Sequence, residues 1–440
     1  MSVEINRTSI YRLLIVFFCS QVLFVVLNHV GFTEKYIIVS FLIYTFVIFL
    51  MALLMNQLLE GDVYSLVIPL FGIVLRCIVI IAGTSAKFNV YLPMKAGDAD
   101  NFYISARNII SGDSNALVFP YIIAFLIKLF GDNRILVQEF NVLIYILTAY
   151  TAHCYLRYKK YSNRLIDIAH ILLAFFPTYV SLCGLLLREP IQIYIGLLVY
   201  IISLEYLDNS RKEYIVLGVI LIILGGFLHG AFWALLSGPL SLFLFYDIKE
   251  KKWIVKKKMF LIFMGLIISS LLILNFFPIS FINAYIPTSW NDIVARFNRY
   301  NTLLNGRTDY LKDWTVTQPW ELLLYIPVKT FYYFVSPVPW EWKNLIDLIS
   351  FISDSVIYIL FWLFTIISLF KSRKEHRLSV LVIVELLPMS VAYALGTVNA
   401  GTALRHRCLL FAVAVIWLIH FVKNWNEKRN ANLNKAFRQI

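Results

Sequence analysis

The sequence predicts an all-α, polytopic integral membrane protein. Of its 440 residues, 60% are hydrophobic and only 15% are charged. Apolar runs of roughly 20 residues, the length a helix needs to span a bilayer, recur from end to end. The runs are continuous, whereas barrel strands alternate, and an open sheet cannot satisfy its edges in lipid. No stretch between them is long enough for a sizeable soluble domain, so residues 1–440 read as one membrane domain.

The first run, 11–31, is longer than a signal h-region and lacks a small-x-small exit, so it reads as a retained span. Further spans are expected at 36–58, 64–83, 135–156, 165–185, 190–206, 214–228, 229–247, 259–279, 346–370, 379–396 and 405–422. Two weaker stretches, 117–131 and 321–337, are short or interrupted by Lys128, Lys329 and prolines.

Net charge is +13. In a soluble protein this would suggest nucleic acid. Here the basic residues crowd into short loops, "RYKKYSNR" (157–164), "NSRKE" (209–213), "DIKEKKWIVKKK" (247–258), "KSRKEHR" (371–377) and the tail from 423. Positive-inside bias therefore explains the charge, and no nucleic-acid partner is expected. All of these loops fall on the cytoplasmic side if 117–131 and 321–337 are interfacial or re-entrant helices. The expected topology is then about 12 transmembrane helices with both termini inside, and outer loops at 84–134 and 280–345 that carry the interfacial helices. The five cysteines include no CxxC pair, so neither a disulfide framework nor a zinc site is expected.

In this topology the unusual polar stretches share the outer side. In "KAGDADNFYISARN" (95–108), Asp98 and Asp100 can bind a divalent cation, supply a base, or belong to a solvated acidic turn. Phe102, Ala106 and Ile109–Ile110 have near-helical spacing, with Ile104 fitting loosely. An interfacial helix is expected there, with both carboxylates at its favourable N-terminal end. In "LLREP" (186–190), Pro190 and Glu189 suit the first turn of a helix. Arg188 does not suit a helix N-terminus, so it either snorkels to headgroups or binds phosphate with the exposed N–H groups.

"NAGTALRHR" (399–407) repeats the anomaly, with Arg405, His406 and Arg407 at the entrance of the last span. Two arginines there can close on one anion or anchor to lipid headgroups. Gly401 and Thr402 before them would allow close backbone approach. The outer loop adds Arg296, Arg299 and Arg307 among tryptophans, a pattern of sugar-phosphate recognition or of an aromatic belt. His229, Arg76 and Glu385 lie at membrane depth, where ionisable groups are rare. Arg76 and Glu385 can satisfy each other or backbone groups. No nucleotide-binding glycine motif, no internal repeat and no cofactor motif is seen.

With its "GDADNFYISAR" loop, outer "LLREP" and terminal "NAGTALRHR", the chain resembles bacterial polysaccharide repeat-unit polymerases of the O-antigen and capsule (Wzy) type. More broadly, it resembles polyprenyl-phosphate-sugar glycosyltransferases of the GT-C class. The resemblance implies a GT-C-like helical fold, an undecaprenyl-linked oligosaccharide donor, chemistry at the outer face of the inner membrane, and no nucleotide sugar; no cofactor is expected. It implies a chain-length regulator and a flippase as partners, besides the bilayer. The polymerase reading gives Arg188, Arg405 and Arg407 to the diphosphate, with Arg296, Arg307, His406 and Glu189 as further substrate contacts. The GT-C reading makes Asp98 or Asp100 the base that activates the acceptor. In common GT-C enzymes the acidic loop follows the first helix, whereas three spans precede it here, which puts the polymerase reading ahead. A transporter or flippase is the rival, and would line the mid-membrane with charge.

Overall fold

A computed structural model of the chain describes residues 7–84, 97–114, 117–254, 261, 294–295, 298, 308–311 and 314–437. The chain is mostly helical, as an all-α membrane protein should be. Among the described residues, seven helices are long and apolar enough to cross a membrane. They are Ile37–Leu58, Val63–Thr84, Arg134–Tyr158, Glu189–Asn209, Leu345–Leu369, Arg373–Leu395 and Ala400–Trp425. Each coincides with an expected span. Local signals set several starts. The Asn133 side chain caps the Arg134–Tyr158 helix, and capping boxes at Asn344–Asp347 and Ser372–Glu375 open two others.

The span expected at 165–185 is broken. Asn163–Phe175 and Pro177–Gly184 meet at 55°. Pro177 has no N–H to give the carbonyl four residues back, and its ring holds Phe176 in an extended conformation. The expected spans 11–31 and 214–228 fall on the helices Arg7–His29 and Lys212–Leu228. The span expected at 229–247 opens as a 3-10 helix, Gly230–Leu236, and runs into Ser237–Phe245. The span at 259–279 lies outside the described residues. The two weak stretches form helices Val118–Phe130 and Leu322–Val335, of 13 and 14 residues. At about 1.5 Å per residue neither reaches across a hydrocarbon core of roughly 30 Å.

The chain divides into two compact units, Met1–Leu197 with Phe411–Ile440, and Leu198–Leu410. In the first, the Arg134–Tyr158 helix is the most enclosed, with 78% of its apolar window buried. Arg76 sits fully buried on the neighbouring Val63–Thr84 helix. Its guanidinium lies 3.5 Å from the Tyr145 ring centre and donates to the carbonyls of Gly72 (2.9 Å), Leu173 (3.0 Å) and Ala174 (3.1 Å). The Leu173 carbonyl is the one that Pro177 leaves without a helical donor. An unpaired carbonyl in lipid costs several kcal/mol, so Arg76 makes the break tolerable. Of the two alternatives for Arg76, backbone satisfaction is the one observed.

In the second unit, Gly225 and Gly226 end the Lys212–Leu228 helix where Phe232 and Trp233 fold back. A Cβ on either glycine would lie 2.3 or 2.5 Å from those rings. Glu385 is fully buried, its side chain against Gly238. A short hairpin pairs Tyr246–Asp247 with Lys252–Trp253. Arg377 ties it down, donating to the Tyr246 hydroxyl (3.1 Å) and to Asp208 (3.2 Å), while Trp253 donates to the Arg377 carbonyl (3.0 Å).

Candidate functional site

In the first unit the residues from 185 to 188 form an irregular link between the broken span and the Glu189–Asn209 helix. Such backbone needs partners, and the Arg134–Tyr158 helix supplies them. Asn141 donates to the carbonyls of Leu185 (2.7 Å) and Leu187 (3.0 Å), and Gln138 donates to that of Gly184 (3.2 Å). Interhelical bonds of this kind contribute roughly 0.5–2 kcal/mol each. They also fix where Arg188 emerges.

Arg188 sits immediately before its helix, as expected, and its carbonyl accepts from Gln192 N–H (3.3 Å). Its guanidinium is mostly enclosed. It approaches the Glu189 carboxylate at 3.9 Å and lies 5.5 Å from the Phe102 ring centre. Nε is buried with no hydrogen-bond partner. Glu189 is itself 1% exposed. The charge at the junction is therefore held inside protein and does not extend into open headgroups.

Phe102 belongs to the Gly97–Ile110 helix, which forms where the acidic stretch predicts it, with Asp98 and Asp100 in its first turn. Ala99, Phe102 and Ala106 face inward, and Phe102 meets Phe119 edge-on at 5.1 Å. Ile104 is 56% exposed and plays no part in that face. Asp100 pairs with Arg134 at 2.5 Å. Asp132 accepts from Tyr103 (2.5 Å) and pairs with Arg107 (3.2 Å). Burial, then the bond to Asp132, pushes the Tyr103 phenol upward, so it stays a donor. A Cβ on Gly97 would meet only Asn101, at 4.0 Å, so no steric demand for glycine singles out Asp98. Asp100 is committed to Arg134.

In the second unit, "NAGTALRHR" is itself helical. Asn399 caps it, accepting from Thr402 N–H at 2.8 Å, and the helix runs Ala400–Arg407. Arg405 and Arg407 therefore lie more than a turn past the start, and the expected clash with the dipole does not arise. A Cβ on Gly401 would meet Asn399 at an ordinary 3.5 Å, so close backbone approach does not require glycine there either.

Arg407 is fully buried and its guanidinium is fully used. It pairs with Asp354 (2.5 Å), donates to Ser355 (2.9 Å), and donates to the carbonyls of Tyr333 (3.2 Å), Phe334 (2.9 Å) and Ser336 (2.6 Å). Two of these carbonyls belong to the last turn of the Leu322–Val335 helix, which has no further N–H to offer them. Asp354 and Ser355 lie in a π-helical turn, Phe351–Ser355. Arg407 thus holds structure together, in a conformation that spares no donor for phosphate.

His406 points differently. Thr397 donates to the Tyr393 carbonyl (2.7 Å), so the 3.1 Å contact between Thr397 Oγ1 and His406 Nδ1 needs the proton on Nδ1. His229, expected deep in the membrane, ends the Lys212–Leu228 helix and caps the next turn by accepting from Ala231 N–H (3.2 Å). The Tyr393 ring lies 4.7 Å from His229 and 4.9 Å from His406. Arg405 is 6% exposed. Arg296 and Arg307 lie outside the described residues.

No protein-family model, curated protein or solved structure matches the chain. The sequence reading missed Asp132, Arg134, Tyr103, Asn141 and Gln138. "GDNR" at 131–134 held a signal for the first two, a capped helix start with both charges beside it. Nothing local marks the last two, because their partners lie more than forty residues away.

Proposed function

We propose that the protein is a membrane glycosyltransferase that polymerises undecaprenyl-diphosphate-linked oligosaccharide repeat units at the outer face of the bacterial inner membrane. The observation that carries the reading is the contact of Arg188 with Phe102. It joins a mostly enclosed cation at a helix N-terminus to the helix bearing Asp98 and Asp100, two stretches far apart in the chain. In the reaction, an acceptor hydroxyl attacks the anomeric carbon of the donor and the bond to the lipid diphosphate breaks. Arg188 and the adjacent helix N-terminus would stabilise the charge on the departing diphosphate. Asp98 would take the hydroxyl proton. In the second unit, Arg407 is read as a residue that holds structure. A donor carrying one phosphate and one sugar is the second reading, favoured by the acidic pair.

Arg188→Lys should keep the protein in the membrane and lower polymer yield roughly 10²-fold, because lysine keeps the charge but loses the planar fork. Lipid-linked glycans from the variant strain decide between readings. Single repeat units accumulate if a polymerase is lost, and incomplete units if a single-sugar transferase is lost. Wild-type polymer length would show that Arg188 only anchors its helix.

The proposed topology has twelve crossings and both termini in the cytoplasm. Ser111→Cys and Asn305→Cys should both react with an impermeant thiol reagent in intact spheroplasts, above the level of the unsubstituted chain. Labelling only after lysis would reverse the sidedness and remove the site from the outer face.

A further inference from the structure

Remote from Arg134 on the Arg134–Tyr158 helix, the first unit holds a pair of ionisable groups that the proposed reaction does not use. His153 Nδ1 and His170 Nε2 are 2.9 Å apart, and the two rings are 2% and 1% exposed. Neither outer nitrogen, His153 Nε2 or His170 Nδ1, has a hydrogen-bond partner.

A bond between two neutral imidazoles uses one N–H and one lone pair. Whichever ring donates, one lone pair and one N–H remain on the outer nitrogens. The pair therefore takes one proton without losing its internal bond. A second proton would put N–H against N–H and break it.

A narrow crevice reaches the His153 member of the pair. It is lined by His153 with Asp62, Asp167 and Arg157, and is too tight to seat an organic ligand. Asp167 Oδ1 is buried and also lacks a partner. Asp62 spends one oxygen capping the Val63–Thr84 helix at Ser65 N–H (2.8 Å). Arg157 is held by Asn163 (2.8 Å) and the Glu60 carbonyl (3.3 Å). Arg76 is turned to Tyr145 and to carbonyls, and His420 of the last helix bonds Tyr161 and Asn424. The Tyr150 ring also packs against both imidazoles, 6.1 Å from His153 and 5.8 Å from His170, with its hydroxyl turned to the Ser65 carbonyl (3.4 Å). The groups facing the pair are thus two carboxylates, one committed guanidinium and one phenol.

We propose that His153 and His170 form a buried proton-binding site that takes up one proton per pair through the Asp62–Asp167 crevice. The proton adds to the remaining lone pair and gives a hydrogen-bonded imidazolium–imidazole, with the carboxylates balancing its charge. In the topology above the crevice opens to the cytoplasm, where the basic loop 157–164 borders it through Arg157 and Asn163.

The test is a titration of the full-length, ¹⁵N-histidine-labelled protein in lipid nanodiscs between about pH 4 and pH 9. The two rings are assigned by His153→Gln and His170→Gln. Both rings should respond in one step that accounts for one proton, and Asp167→Asn, at the crevice edge, should weaken uptake about tenfold. Two independent one-proton steps, no response over that range, or an unchanged titration in Asp167→Asn would each overturn the proposal. None of these outcomes depends on glycosyltransferase activity.

Discussion

Replacing Arg407 with alanine should leave little folded protein. The change strands Asp354, which is 1% exposed, without its cation and removes the donor to three carbonyls and a hydroxyl. Breaking a buried ion pair by deleting one partner typically costs about 3–5 kcal/mol, a large part of a stability of roughly 5–15 kcal/mol. Arg407→Met with Asp354→Leu should recover only part of the loss. It removes the stranded charge but leaves the Tyr333, Phe334 and Ser336 carbonyls orphaned. Thermal unfolding of the detergent-purified chains measures both. A single variant as stable as the wild type would mean that Arg407 is not held as described, and would return it to the list of phosphate ligands.

Asp98→Asn is expected to abolish most activity with no effect on accumulation, since removal of a positioned base costs about 10²–10⁴-fold in rate. Asp100→Asn should behave differently. Asp100 is paired with Arg134 near the surface, where such pairs contribute about 0–1 kcal/mol, so a mild loss of both stability and activity is expected. Polymer length and membrane abundance, measured together with and without a chelator, separate the two. Full activity in Asp98→Asn would remove the carboxylate from the proposed reaction and leave it resting on Arg188.

Much of the fold was legible because membrane insertion is decided locally. A run of apolar residues long enough to span lipid is visible without knowing what it packs against, and the seven long apolar helices lie where such runs stand. The Gly97–Ile110 helix was equally readable from its spacing and its acidic first turn. The break at Pro177 was not, although the proline was in plain view. Proline inside an apolar run can kink a helix or end it, and the choice rests on whether a neighbour serves the freed carbonyl. Here Arg76 does, from a helix nearly a hundred residues earlier.

The candidate site divides the same way. Arg188, Arg405 and Arg407 look alike as charges beside apolar spans, and all three could be read as phosphate ligands. Packing makes them unlike. Arg188 lies against Phe102 with a buried Nε and no hydrogen bond to it, whereas Arg407 spends every donor on Asp354, Ser355 and a helix end. His153 and His170 gave no sign of pairing, because seventeen residues and a turn separate them. By itself, then, the sequence determined the class of protein, where its long helices run and which loops are basic, since hydropathy and charge act through a segment's own composition. Only the tertiary structure decided which buried charges are spent and which are available. A guanidinium's or an imidazole's partners come from other helices, and no local pattern records them.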